Sequence, residues 1–175
     1  MAYDDRNVTL EGVTLIYRNF KGRPGQFNAE GDRNFGVILD EKLARMMMQD
    51  GWTIRELAPL EEGDSPKYML KVKLKYRNRE GKEVNRPPRV VLITSRGRTN
   101  LTESEVETLD IANIENADLI VRPFEWTMGK GKDERSGINA YLQSLYVTIR
   151  EDALELKYAE VGAVQEKHED GPQFQ

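Results

Sequence analysis

The sequence predicts a mainly β protein with short helices, and three observations carry that prediction. First, β-branched and aromatic residues gather into runs at 8–20, 35–39, 68–77, 89–95, 118–128 and 138–149. Second, several of these runs alternate apolar and polar residues, the period of a half-buried strand. Third, Gly-, Pro- and Asn-rich segments punctuate the runs, and helix signals occur in only a few short places.

The most informative stretch is 68–98, YMLKVKLKYRNREGKEVNRPPRVVLITSRGR. It holds ten basic residues and two acids, in a chain whose net charge is −4. Val72, Leu74 and Tyr76 alternate with Lys71, Lys73, Lys75 and Arg77, so one face of the strand is apolar and the other is a row of cations. Neighbouring cations on that face stand roughly 6–7 Å apart, close to the phosphate spacing of an extended nucleic-acid strand. A solvated strand face that deters edge pairing is the plainer reading of the same lysines.

At 175 residues, 38% hydrophobic and 32% charged, the chain suits one domain with one core. No apolar run approaches the roughly 20 residues of a membrane span, and MAYDDRNVTL has no apolar signal core. With no cysteine, a cytoplasmic location is expected. The single histidine, His168, sits in a polar tail, so Ser-His-Asp catalysis and cysteine or multi-histidine zinc sites are not expected. No cofactor or metal is expected. The remaining enzymatic option is carboxylate-held magnesium or manganese.

In chain order, residues 8–20 read as one long strand, with Gly12 marking a bend or bulge. Residues 21–34 form a glycine-punctuated, mobile surface loop carrying Lys21, Arg23 and Arg33, with Phe27 at its centre as a base-stacking candidate or a folded-back anchor. Residues 35–39 are a short buried strand. Asp40 is a good N-cap for a helix over 41–49, in which Met46, Met47 and Met48 fill core, and Gly51 ends it. Residues 52–57 suit a further strand with Trp52 in the core, and 58–67 an acidic, turn-rich loop.

After the cationic strand and the turn at 78–83, the run 89–95 is nearly continuously apolar and predicts burial on both faces. Arg96, Gly97 and Arg98 emerge at its end. Thr102 with Glu105 three residues on is a capping-box pattern for a short helix or turn over 103–110. Strands 118–128 and 138–149, joined by GKGKDERSG, predict a long hairpin whose tip carries Lys130, Lys132 and Arg135. One face of its first arm presents Ile120, Arg122, Phe124, Trp126 and Met128, the pattern of a strand-binding finger. Packing of Phe124 and Trp126 on the barrel or the facing arm is the alternative. A short helix is expected over 151–160. Residues 151–175 hold seven acids and two lysines, so the rest of the chain is close to neutral.

This order suits an OB-type five-stranded Greek-key barrel with an inserted helix and a long hairpin between its fourth and fifth strands. The places where such barrels bind oligonucleotides fall at 21–34, 71–77 and 129–137, each basic or aromatic-bearing. The expected domain is 1–162, followed by an acidic, disordered tail at 163–175.

The runs RNFKGRPGQFNAEGDRNFGVIL, PPRVVLITSRGR, IVRPFEW and AYLQSLYVTIREDALELKYAEV resemble bacteriophage single-stranded DNA-binding proteins, especially those of phages of actinobacteria. The resemblance covers about residues 8–161. It implies an OB-type fold, single-stranded DNA binding without catalysis, and a role in phage replication or recombination. Many such proteins recruit replication or recombination proteins through an acidic tail that closes on an aromatic residue. Here Gln175 follows Phe174 and the acids are sparse.

The leading expectation is a sequence-independent single-stranded DNA-binding protein. Lys71, Lys73, Lys75 and Arg77 would track phosphates, and Tyr17, Phe27, Trp126 and Tyr141 would stack on bases. Lys21, Arg23, Arg33, Arg96, Arg98, Arg122, Lys130, Lys132 and Arg135 would add charge around them. A protein-binding barrel that targets a host or phage replication protein is the alternative. A metal-dependent nuclease rests only on the E-x-K spacing of Glu80-Gly81-Lys82 with Asp64 upstream. Self-association is left open, and no membrane partner is expected.

Overall fold

The computed structural model describes residues 6–152 and Lys157. Within them lie strands β1 (Val8–Leu10), β2 (Leu15–Asn19), β3 (Arg33–Leu39), β4 (Ile54–Leu57), β5 (Lys67–Leu74), β6 (Arg89–Thr94), β7 (Gly97–Leu101), β8 (Ile114–Met128) and β9 (Arg135–Ile149). The described residues also include the helix α1 (Glu41–Gln49), two short 3-10 turns, Val106–Asp110 and Gly131–Asp133, and the helical residue Lys157.

The expected first strand is present as two pieces. Gly12, at φ 61°, bends the chain between them. β1 pairs with β8, and β2 with β3. The bend keeps its hydrogen bonds: the Val13 N–H donates to Ala117 on β8, and the Ile38 N–H on β3 donates to the Thr14 carbonyl. The strand order β1-β8-β9-β5-β3-β2 therefore returns on itself, because its two ends are consecutive parts of one bent strand. β5 and β9 meet in parallel, Val72 opposite Ala140. With β1 and β2 counted as one, the barrel strands in sequence order are this bent strand, β3, β5, β8 and β9, the five-stranded OB arrangement.

Alternation fills the barrel. Phe35, Val37 and Leu39 of β3 point inward with Leu70, Val72 and Leu74 of β5 and Leu142, Leu145 and Val147 of β9. Phe20 and Phe35 stack there at 5.0 Å and are fully buried. Truncating either to alanine costs about 3–5 kcal/mol.

The additions sit outside this ring. α1 spans the predicted residues, capped by Asp40, whose side chain accepts the Leu43 N–H at 2.8 Å. Of its three methionines only Met47 is buried, while Met46 and Met48 are exposed, so core filling holds for one of them. β4 lies on the edge of β5, and Trp52 is buried as expected.

β6 runs parallel to β9 further along the same side that β5 occupies, with Val90 and Val91 both buried. The segment after it is a hairpin, since Arg96 lies in the turn and β7 folds back on β6 with Thr94 opposite Gly97. Gly97 takes φ 126°, which favours glycine.

The pairing of Thr102 and Glu105 is real but is no helix N-cap. The Glu105 carboxylate accepts both the Thr102 N–H at 2.9 Å and its hydroxyl at 2.8 Å, and the turn that follows is 3-10. These two bonds hold the Glu105 carboxyl below its ordinary range. The hairpin arms are longer than predicted, beginning at Ile114 and Arg135. Of the helix expected over 151–160, residues 153–156 and 158–160 lie outside the described residues, as does the tail at 163–175.

Candidate nucleic-acid interface

The cationic face read in the sequence is the outer face of β5. Leu70, Val72 and Leu74 enter the core, while Lys71 and Lys75 are exposed and Lys73 is half-buried between them. Sheet register turns this line into a surface. Asn34 on β3 lies opposite Lys73, Lys73 opposite Tyr141 on β9, and Tyr141 opposite Arg122 on β8. Paired residues share a face of the sheet, so one row across four strands reads Asn34, Lys73, Tyr141, Arg122.

Aromatic and cationic groups touch along that row. Phe124 packs against Tyr141 with ring centroids 4.9 Å apart, and Phe124 stays 43% exposed. The Lys75 ammonium stands 5.9 Å from the Tyr141 ring centroid, within cation–π range. Burial raises the Tyr141 phenol pKa, while Arg122 opposes the rise. The ring is therefore neutral at physiological pH and presents a π face beside two cations.

Next to this row opens a cleft of about 370 Å³ lined by Asp32, Arg33, Lys73, Lys75, Tyr76, Arg77, Glu103 and Tyr141, among others. Arg33 does not point freely into solvent as a loop cation would. Its guanidinium donates to the Phe20 carbonyl and lies 5.9 Å from the Tyr76 ring centroid. Arg77 donates to both oxygens of Glu103, at 3.2 and 3.1 Å, and to the Gly81 carbonyl at 3.0 Å.

Trp126 lies beyond Phe124 on the same arm. Its indole N–H donates to Asn139 at 3.1 Å, and its ring covers Gly137, where a β-carbon would come within 2.8 Å of it. Lys130, Lys132 and Arg135 are exposed at the hairpin tip.

The 21–34 loop is ordered by asparagines. The Asn19 side chain accepts the N–H groups of Gly22 and Arg23, and Asn28 donates to the Arg23 carbonyl. Gly22 and Gly31 bond at 2.8 Å, and a β-carbon on Gly22 would meet Gly31 backbone at 2.9 Å. This frame holds Phe27 89% exposed at the loop, so it does not fold back as an anchor, and Arg23 is exposed beside it.

Other predicted residues stand apart. Lys21 approaches Glu107 at 4.0 Å. Tyr17 is 68% exposed at a bulge of β2, with φ 48°, and lines a different groove with Ile16, Leu57, Pro59 and Leu60. Arg98 lies 5.5 Å over Tyr146, further along β9, and Arg96 occupies the adjoining turn. Glu80-Gly81-Lys82 forms an exposed turn in which the Asn78 side chain accepts the N–H groups of Glu80 and Lys82. That is not the core-strand end that metal-assisted cleavage requires.

Sequence reasoning missed Tyr76 and Glu103 as members of the cleft. Alternation puts Tyr76 only on the apolar face, and Glu103 reaches Arg77 across 26 residues of chain. Among the described residues no helix is long and apolar enough to cross a membrane.

No curated protein sequence matches the chain. Among solved structures, the single-stranded DNA-binding protein of bacteriophage Enc34 in a C-terminally truncated form is similar at 13% identity, with 86% of this chain and 89% of that one covered and a TM-score of 0.48. The same Enc34 protein in complex with ssDNA gives 14% identity, 86% and 90% coverage and a TM-score of 0.47. The single-stranded DNA-binding protein gp2.5 of bacteriophage T7 gives 11% identity, 86% and 96% coverage and a TM-score of 0.43. These likenesses are distant, and family membership rests on the sequence. The model of the family described as "Putative phage ssDNA-binding domain" matches residues 2–174, and the chain belongs to that family.

Proposed function

We propose that this protein binds single-stranded DNA without sequence preference, and without catalysis, in phage DNA replication or recombination. The observation that carries the reading is the row Asn34, Lys73, Tyr141, Arg122, with Phe124 on Tyr141 and Lys75 over it. Phosphates need cations at strand spacing, and bases need exposed π faces that accept any sequence. This row supplies both within one side chain's reach. Base-edge recognition would need side-chain forks aimed at particular donors and acceptors. The row's lysine and aromatic faces do not discriminate in that way, and the Asn34 amide is held by Asn28 and the Asp32 carbonyl.

Lys71, Lys73, Lys75 and Arg122 contact phosphates in this account. Tyr141, Phe124 and Trp126 stack bases, and Phe27 closes over the strand from the 21–34 loop. Lys130, Lys132 and Arg135 extend the field at the hairpin tip. Work on intracellular phage DNA puts the protein in the host cytoplasm. The barrel domain, residues 1–162 in this account, holds the whole interface, and the acidic segment at 163–175 is left for protein partners.

The test is chemical-shift mapping with oligo-dT. The largest changes are expected at Lys73, Arg122, Phe124 and Tyr141. Changes confined to the β6–β7 hairpin or to α1 would overturn this assignment of the interface.

A further inference from the structure

Tyr76 lines the cleft, and one polar atom beneath the cleft's surface is left over. Tyr76 is 7% exposed, and its hydroxyl is buried with no hydrogen-bond partner. A buried hydroxyl left without a partner is costly, so its position calls for a reason. The phenol is pushed up to about 12, chiefly by burial, so it is a hydrogen-bond donor throughout the physiological range. The Arg33 guanidinium lies over its ring, and the charges of both Arg33 and Glu103 act on it.

A second observation concerns Arg77. Four cations line the cleft, Arg33, Lys73, Lys75 and Arg77, with two acids, Asp32 and Glu103. Among the described residues, Arg77 is the one of these four held by a carboxylate, which accepts from its Nε with both oxygens. Arginine presents carboxylate and phosphate oxygens with the same planar fork. The pair is partly exposed, 53% for Arg77 and 31% for Glu103. A pair this exposed is weak, so the carboxylate is readily displaced.

We propose that Arg77, Arg33 and the Tyr76 hydroxyl form a phosphate subsite, and that Glu103 fills it in the free protein as an internal stand-in for the phosphate. The subsite takes one phosphodiester of the bound strand. When that group enters, Glu103 leaves Arg77 and the Tyr76 hydroxyl gains the acceptor it lacks. The Gly81 carbonyl, at 3.0 Å from Arg77, keeps the guanidinium in place during the exchange. Binding at this point releases a carboxylate instead of a salt ion, so affinity and salt dependence are both lower than the number of cations implies. The inference rests on the single-stranded DNA reading of the cleft.

The experiment is oligo-dT binding at two salt concentrations by the wild type, Glu103→Gln, Arg77→Gln, the double variant and Tyr76→Phe. Glu103→Gln is expected to tighten binding about two- to fivefold at low salt, the scale of a partly exposed ion pair. Its log K against log salt becomes steeper by about 0.7, one added phosphate contact. In the Arg77→Gln background the same change gains nothing. Tyr76→Phe is expected to unfold at the same or a higher temperature and to bind severalfold more weakly.

Equal tightening with and without Arg77 would show that Glu103 acts only through the general field, and would overturn the proposal. So would a Tyr76→Phe variant that binds as the wild type does. If the wild type does not bind oligo-dT, the interface reading falls and this inference falls with it. Wild-type binding without the Glu103–Arg77 coupling removes the subsite alone.

Discussion

Phe124 and Tyr141 pack across the β8–β9 hairpin with centroids 4.9 Å apart and planes tilted by 30°, although they are not directly opposite. Tyr141 pairs with Arg122, and Phe124 with Asn139. The diagonal contact makes a two-ring platform on the barrel's outer surface, half open to solvent. Most exposed aromatics lack such support. Here each ring holds the other in orientation before any ligand arrives, which lowers the ordering cost of binding.

If the platform stacks bases, Phe124→Ala and Tyr141→Ala should each weaken oligo-dT binding by about 1–3 kcal/mol. The double variant should lose less than the sum, because each truncation already disturbs the other ring. Tyr141→Phe should keep most of the affinity. Isothermal titration of the four variants checks this.

The lysine row should be visible in salt dependence. Lys73→Ala and Lys75→Ala should each flatten log K against log salt by about 0.7. Lys21→Ala should leave the slope unchanged, since Lys21 faces Glu107 outside the cleft. A titration series in sodium chloride measures the slopes.

Tyr76 gives a pH signature. Its folded pKa is raised to about 12 from 10.0, mainly by burial, so its ionisation takes nothing from the folded state below pH 10. As pH rises from 10 towards 12 the unfolded chain loses this proton more readily, and stability falls. Denaturant unfolding of Tyr76→Phe should show a smaller loss over that window than the wild type.

Gly137 tests the placing of the indole. A β-carbon there would sit 2.8 Å from the Trp126 ring and 3.1 Å from the Thr53 hydroxyl. Gly137→Ala should therefore cost about 1–3 kcal/mol by overpacking. It should also shift tryptophan emission, as the ring moves off Gly137 and its bond to Asn139 weakens. An unchanged spectrum and melting point would contradict the packing described.

The parts legible in the sequence are those set by local period and local chemistry. Alternation from Lys71 to Arg77 identified the core face and the cationic face, and Asp40 marked the start of α1 to the residue. The β6–β7 hairpin escaped because Arg96-Gly97-Arg98 reads as a charge cluster, while its turn signal is a single glycine at φ 126°. Tyr17 went to a separate groove because it takes a positive φ at a bulge, a conformation its residue type does not announce. Arg33 looked like a loop cation, yet its partners, the Phe20 carbonyl and the Tyr76 ring, are fixed by strand register. Glu103 entered the cleft from a connection whose sequence shows only a turn.

The most direct test of the central claim is fluorescence anisotropy of a labelled oligo-dT of about 20–30 nucleotides, long enough for one 4–16-nucleotide barrel site. It is run at two salt concentrations beside a duplex of the same length. The account predicts tight, salt-sensitive binding to the single strand and little to the duplex, whose bases are closed to the Phe124–Tyr141 platform. Equal, weak binding to both would reduce the Lys71–Lys75 row to generic charge and contradict it.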